Sequence, residues 1–128
     1  MKQEKFSFKK RLKSFTYAFN GFRILFREEH NARIHLVFAI LALISGFYFK
    51  ITTTEWISII FVIGLVFILE ILNSAIENIC DFISPEYHET IKKVKDLSAA
   101  AVLFGAIVSV FVGLIVFLPY LRKLLISI

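Results

Sequence analysis

Apolar and polar positions divide the chain into four stretches. In the first, Phe8, Leu12, Phe15, Phe19, Phe22 and Phe26 recur at alternating intervals of four and three. That spacing lays a bulky apolar stripe along one face of a helix, here over about residues 6–28, and leaves the other face basic. Such a helix suits a membrane interface, lying in its plane with cations toward lipid headgroups; packing on a protein core is the alternative. Gly21 is expected to bend or weaken it. Residues 34–49 are then apolar apart from His35 and Ser45. Sixteen residues fall slightly short of a hydrocarbon core of about 30 Å, so the span borrows a turn or its flanks snorkel, which predicts a first transmembrane helix over about 32–50. Residues 51–55 read as a short polar turn, with Trp56 where an interfacial aromatic belongs. A second apolar run starts there, meets Glu70 and continues without a breaker to Ile83, predicting one long helix over 56–83 whose last third carries acids. Ser84-Pro85 ends it, and residues 86–95 read as a polar loop or helical turn. Residues 97–121 contain no charge at all, which predicts a third span over about 96–121.

Composition agrees. The 128 residues are 58% hydrophobic, with fifteen Phe and a mean hydropathy of +0.76, which excludes disorder and argues against an ordinary soluble domain. The length allows one domain over residues 1–128 and no two-lobed enzyme. The single Cys80 excludes an intrachain disulfide and a cysteine-based zinc cluster. Eight of the fifteen Lys and Arg fall in residues 1–30 (Lys2, Lys5, Lys9, Lys10, Arg11, Lys13, Arg23, Arg27), against the acids Glu4, Glu28 and Glu29. In so apolar a chain this basic end points to an anionic membrane surface and not to nucleic acid. No apolar run and small-residue cleavage site follow the charges directly, so a signal peptide is not expected. The amino-terminal segment and Lys92, Lys93 and Lys95 share one side of the predicted bundle. Lys50, Arg122 and Lys123 lie on the other. The positive-inside rule puts the first group, and the N-terminus, in the cytoplasm and the C-terminus outside.

Candidate chemistry sits in the second span. Glu70, Asn73, Glu77 and Asp81 point to about 0°, 300°, 340° and 20° around a helix, a single stripe. Acids inside a membrane helix are costly and mark function by default; the competing reading is an interfacial acid row paired with Lys and Arg of the amino-terminal helix. Carboxylates beside an amide at a membrane boundary suit Mg²⁺, which takes one or two carboxylates plus substrate phosphates, and Lys92, Lys93 and Lys95 are at hand to neutralise a nucleotide. No GxxxxGK[ST] occurs and the five glycines are scattered, so phosphoryl transfer would rest on positioning by metal and cations.

The block EILNSAIE at 70–77 and KDLSAAAVL at 95–103 resemble the signature of the prokaryotic diacylglycerol kinase family, small integral-membrane lipid kinases that include undecaprenol kinases. The resemblance covers nearly the whole chain. It implies an all-α membrane protein, an amphipathic surface helix plus three transmembrane helices, in a homotrimer with active sites between subunits, in the bacterial inner membrane. The implied reaction moves the γ-phosphoryl of Mg-ATP to the hydroxyl of diacylglycerol or undecaprenol, giving phosphatidic acid or undecaprenyl phosphate. Carried over residue by residue, Glu70 is the general base with Asn73 beside it. Glu77 and Glu29 are metal ligands. Lys95, Asp96, Asp81, Glu86 and His88 lie at the nucleotide, joined from the surface helix by Tyr17 and by Lys10 or Arg11. Asp96 also reads as the N-cap of the third span, and Tyr17 as an interface anchor. Some members carry an acid two positions after the arginine that opens the first span. Here the segment is EEHNARIH, and its E-x-N-x-R-I-H form resembles the undecaprenol-kinase branch.

Two other classes compete with the kinase. A small proton-coupled transporter would use Glu70 as its coupling site but gains nothing from KKVKD at the boundary; a structural or regulatory adaptor would tolerate neutralisation of the acid stripe.

Overall fold

The computed structural model describes residues 5–128, so Lys2 and Glu4 of the basic segment lie outside the described residues. Four helices follow one another: α1 (Phe8–Glu28), α2 (His30–Phe49), α3 (Thr53–Ile83) and α4 (Glu89–Ile126). The last three are long and apolar enough to cross a membrane. With 20 residues α2 reaches about 30 Å. The turn it borrows comes from its N-terminal side, where it starts at His30.

Helix ends follow from local chemistry. Ser7 caps α1 by accepting a hydrogen bond from the Lys10 backbone, and α1 runs through Gly21 without interruption. Glu29, in extended conformation, separates α1 from α2. Lys50, in the left-handed region at φ 52°, stops α2, and the Ile51 backbone N–H returns to the Gly46 carbonyl while its side chain is buried. The next helix starts at Thr53 and not at Trp56. Thr52 and Glu55 form a reciprocal capping box, so the polar residues read as a turn are the helix's own first turn. Ser84 ends α3 as Ser84-Pro85 predicts. The helix that carries the third span also starts before residue 96, at Glu89, because charged residues stop a hydrophobic run without stopping a helix. Asp96 is therefore not an N-cap. His88 holds that position, and Asp96, two turns inside, accepts from Lys92 Nζ at 2.6 Å.

Helices α3 and α4 pack antiparallel along their length, tied by Glu55 to Tyr120, Leu69 against Gly105, Asn73 to Ser98 and Asp81 to Lys95. On the other side of α3, α2 also runs antiparallel: Gly46 meets Trp56 and His35 meets Glu70. Gly46 is required there, since a Cβ would stand 2.6 Å from the indole ring. A small core of Ile51, Ile59 and Val116, flanked by Trp56, Phe49 and Tyr120, closes the end of the bundle opposite the acid stripe. The C-terminal end of α1 joins α2 and α3 through buried Leu25 and through Phe26, edge-on to Phe67 at 6.0 Å. Its remaining stripe, including Phe8, Phe15 and Phe19, is exposed, as are Phe61, Phe104 and Ile115 of the spans.

Candidate active site

The acid stripe on α3 grades from dry to wet. Glu70 is only 1% exposed. Its Oε1 lies 3.2 Å from His35 Nε2, off line for a hydrogen bond, and has no hydrogen-bond partner among the described residues. One turn on, buried Asn73 accepts on Oδ1 from the Ser98 hydroxyl at 2.7 Å. Its amide N–H₂ is thereby left for Glu77, with which it interacts. Glu77 is half-buried and feels Lys95 and Asp81 as well. Asp81, at the exposed end, pairs with Lys95 Nζ at 2.5 Å. The partner is a cation of α4, so for Asp81 the pairing with the amino-terminal helix is not what the fold provides.

A carboxylate from outside α3 joins Glu70 and Glu77. Glu29 stands at the N-cap of α2, yet its side chain makes no capping hydrogen bond; it lies instead within electrostatic range of both Glu70 and Glu77. Three acids thus converge with Lys95 as the cation acting on Glu77, a donor set of hard oxygens short of positive charge. Among the described residues no three or more His, Cys, Asp or Glu side chains form a ready metal cage. Magnesium does not need one, because it keeps waters and takes one or two carboxylates while phosphates fill the rest. Glu29 and Glu77 fit that demand.

One chain therefore brings together Glu29, Glu70, Asn73, Glu77, Asp81 and Lys95. The other sequence candidates stand around or apart from this group. Lys95 and Asp96, adjacent in sequence, turn to different partners, Asp81 and Lys92. His88 spends Nδ1 on the Thr90 backbone N–H at 3.2 Å, and exposed Glu86 offers its carbonyl to the Ser84 hydroxyl at 2.9 Å. Lys10, Arg11 and Tyr17 are exposed on α1, with the Arg11 guanidinium 5.5 Å from the Phe6 ring centre. Because α1 docks through Leu25 and Phe26, Lys10 lies about 22 Å along the helix from that contact.

Two neighbours of the stripe were not placed at the site by sequence reasoning. Ser98 follows Lys95 by three residues and so shares its face of α4. His35 is the one side chain in the apolar run 34–49 whose ordinary pKa lies near neutrality. It also lines a groove of about 460 Å³ bounded by α2, α3 and α4, which runs from Ile34 and His35 past Ser45 and Ser109 to Phe49 and Leu121.

Three helices long and apolar enough to cross a membrane, with an acid buried beside an amide and further acids gathered at one end, define a membrane-type helical bundle with a polar site at its boundary. The chain belongs to the prokaryotic diacylglycerol kinase family, whose profile matches residues 16–117. It is 40% identical over 109 residues to the undecaprenol kinase of Bacillus subtilis, covering 85% of this chain and 89% of that one. With the diacylglycerol kinase of Escherichia coli it shares 36% over 99 residues, 77% and 81% of the two chains. The diacylglycerol kinase of Helicobacter pylori strain J99 is 30% identical over 105 residues, 82% of each. Family membership favours the kinase over the transporter. The matched stretch contains the whole acid stripe, Glu29, Tyr17 and the Lys95-Asp96 pair, and leaves Lys10 and Arg11 outside it.

Proposed function

We propose that the protein transfers the γ-phosphoryl group of ATP, with Mg²⁺, to the hydroxyl of undecaprenol, giving undecaprenyl phosphate. Diacylglycerol, giving phosphatidic acid, is the competing acceptor. The observation that carries the reading is Glu70: a dry carboxylate with one oxygen unspent, next to the head of an apolar groove and one turn from Asn73. The preference for undecaprenol draws on the E-x-N-x-R-I-H segment and on the likeness to the Bacillus subtilis enzyme.

In this mechanism the acceptor hydroxyl gives its proton to Glu70 Oε1 as its oxygen bonds the γ-phosphorus. The bond from that phosphorus to the β–γ bridging oxygen breaks, and ADP leaves. Asn73, fixed by Ser98, holds the geometry between base and phosphate. Glu29 and Glu77 would hold Mg²⁺, which when bound offsets charge on the phosphate oxygens. Lys95, Asp96, Asp81, Glu86 and His88 form the nucleotide side at the turn between α3 and α4. The side chains of the pairs Lys95–Asp81 and Lys92–Asp96 are all more than a third exposed, so exchanging them for phosphate contacts costs little.

The placement of basic residues supports an N-terminus and an 84–95 segment in the cytoplasm and a C-terminus outside, in the bacterial cytoplasmic membrane. Helix α1 lies on the membrane surface, its exposed Phe stripe in the lipid boundary. The assembly is a homotrimer whose neighbouring α1 supplies Tyr17 and Lys10 or Arg11, the candidates that one chain does not bring to Glu70. Purified protein incubated with radiolabelled ATP, with and without Mg²⁺, and with undecaprenol or diacylglycerol tests the reading. Label is expected chiefly in undecaprenyl phosphate and only with Mg²⁺. Preferential labelling of phosphatidic acid would move the acceptor to diacylglycerol.

A further inference from the structure

A histidine just inside the apolar run of a membrane-length helix needs a reason, because polar side chains there are costly and face partners or cavities. His35 has two neighbours that supply one. On the α3 side, Nε2 stands 3.2 Å from Glu70 Oε1, the buried oxygen that no hydrogen bond satisfies. On the open side, the same ring forms the head of the groove between α2, α3 and α4, whose other polar lining consists of the Ser45 and Ser109 hydroxyls farther along. The imidazole is 23% exposed where the carboxylate is 1% exposed, so it sits between the acid and the place from which an apolar acceptor arrives.

We infer that His35 is a positioning residue for the transfer: its Nε2–H holds the Glu70 carboxylate at the head of the groove so that Oε1 meets the acceptor hydroxyl. The inference rests on Glu70 being the base. A carboxylate oxygen has two lone pairs and accepts from the imidazole and from a hydroxyl together. Without a donor on one side, the side chain is free to turn away, and small losses of alignment are expensive in rate. The distance is already within reach while the angle is not, the condition in which catalytic hydrogen bonds tighten once the substrate is bound.

The test compares His35→Leu and His35→Gln. Both fill the imidazole's space, but only glutamine carries an N–H₂ at a comparable reach to Nε2. His35→Leu is expected to lower kcat at least 10-fold with KM for ATP unchanged, and His35→Gln to recover most of that loss. Thermal midpoint and oligomer size should stay at wild-type values in both. In a Glu70→Gln background, which keeps a measurable residual rate, His35→Leu should cost nothing further. Equal defects in the two His35 variants, a His35→Leu rate within two-fold of wild type, or an undiminished loss in the Glu70→Gln background would each overturn the inference while leaving Glu70 as base. A Glu70→Gln enzyme close to wild-type activity would overturn both.

Discussion

Glu55 and Glu70 lie on the same helix, α3, yet their surroundings are opposites. Glu55, near the end closed by Ile51, Ile59 and Val116, accepts on one oxygen from the Tyr120 hydroxyl at 2.5 Å and from the Thr52 backbone at 2.9 Å. It thereby closes the helix start and clamps α3 to α4. Glu70, near the other end, is more deeply buried and its Oε1 is unsatisfied. Buried polar atoms are almost always paired, and those left open concentrate where strain serves a reaction. One carboxylate is a strut; the other keeps a buried oxygen that no hydrogen bond among the described residues satisfies.

Exchanging the roles by mutation should separate activity from stability. Glu70→Gln hardly changes volume and removes the proton acceptor, so lipid phosphorylation should fall 10²–10⁴-fold with the thermal midpoint unchanged or raised. Glu55→Ala should do the reverse: phosphorylation within two-fold of wild type, and a thermal midpoint lowered by several degrees from the lost capping box and Tyr120 contact. Rates with radiolabelled ATP and melting of the detergent-solubilised protein check both. A Glu70→Gln enzyme within a few-fold of wild type would remove the contrast.

The open end also raises the question of what a neighbour adds. Since Glu29, Glu70, Glu77 and Lys95 come together in one chain, mixing Glu70→Gln with Glu29→Gln should give no more activity than the Glu29→Gln chains show by themselves. The double variant Lys10→Ala/Arg11→Ala is expected to be inactive by itself; mixed one-to-one with it, Glu70→Gln should regain activity in about a quarter of sites, as a cyclic oligomer with α1 reaching next door requires. Failure to regain any, once subunit exchange is demonstrated by crosslinking, would confine the site to one chain.

A smaller effect is expected at the acids around Glu70. Glu29→Gln and Glu77→Gln each remove one charged oxygen from a set that lacks positive charge, so the Mg²⁺ concentration for half-maximal activity should rise about tenfold and the defect shrink at high Mg²⁺. An unchanged Mg²⁺ dependence in both variants would place the metal elsewhere.

The same contrast shows what a single sequence discloses. The three spans and the acid stripe were legible because hydropathy and the 3.6-residue period are properties of one segment. Helix starts were less so: the 51–55 segment looked like a turn until Thr52 and Glu55 proved to cap α3, and the charges of 89–95 hid the first two turns of α4. The partners that decide the fate of each glutamate come from other helices. Tyr120 is 65 residues from Glu55, Ser98 is 25 from Asn73, and His35 approaches Glu70 only because α2 folds back along α3. No local pattern announces such pairs.

The closed end holds one conformational cost of its own, and removing it sharpens the comparison most finely. Lys50 ends α2 with φ at 52°, the left-handed region that glycine enters without penalty and a residue with a Cβ does not. The position is fixed by its surroundings, because Ile51 must turn back to the Gly46 carbonyl and bury its side chain in the small core. Lys50→Gly should therefore stabilise the protein by roughly 0.5–1 kcal/mol, with the greater freedom of glycine in the unfolded chain offsetting part of the relief. Activity should not change, since this residue lies at the end of the bundle remote from Glu70. A melting midpoint that rises by a few degrees at constant kcat would show strain here to be incidental. A lower midpoint would mean that the Lys50 side chain makes up for its strain, most simply by anchoring α2 at the far membrane surface.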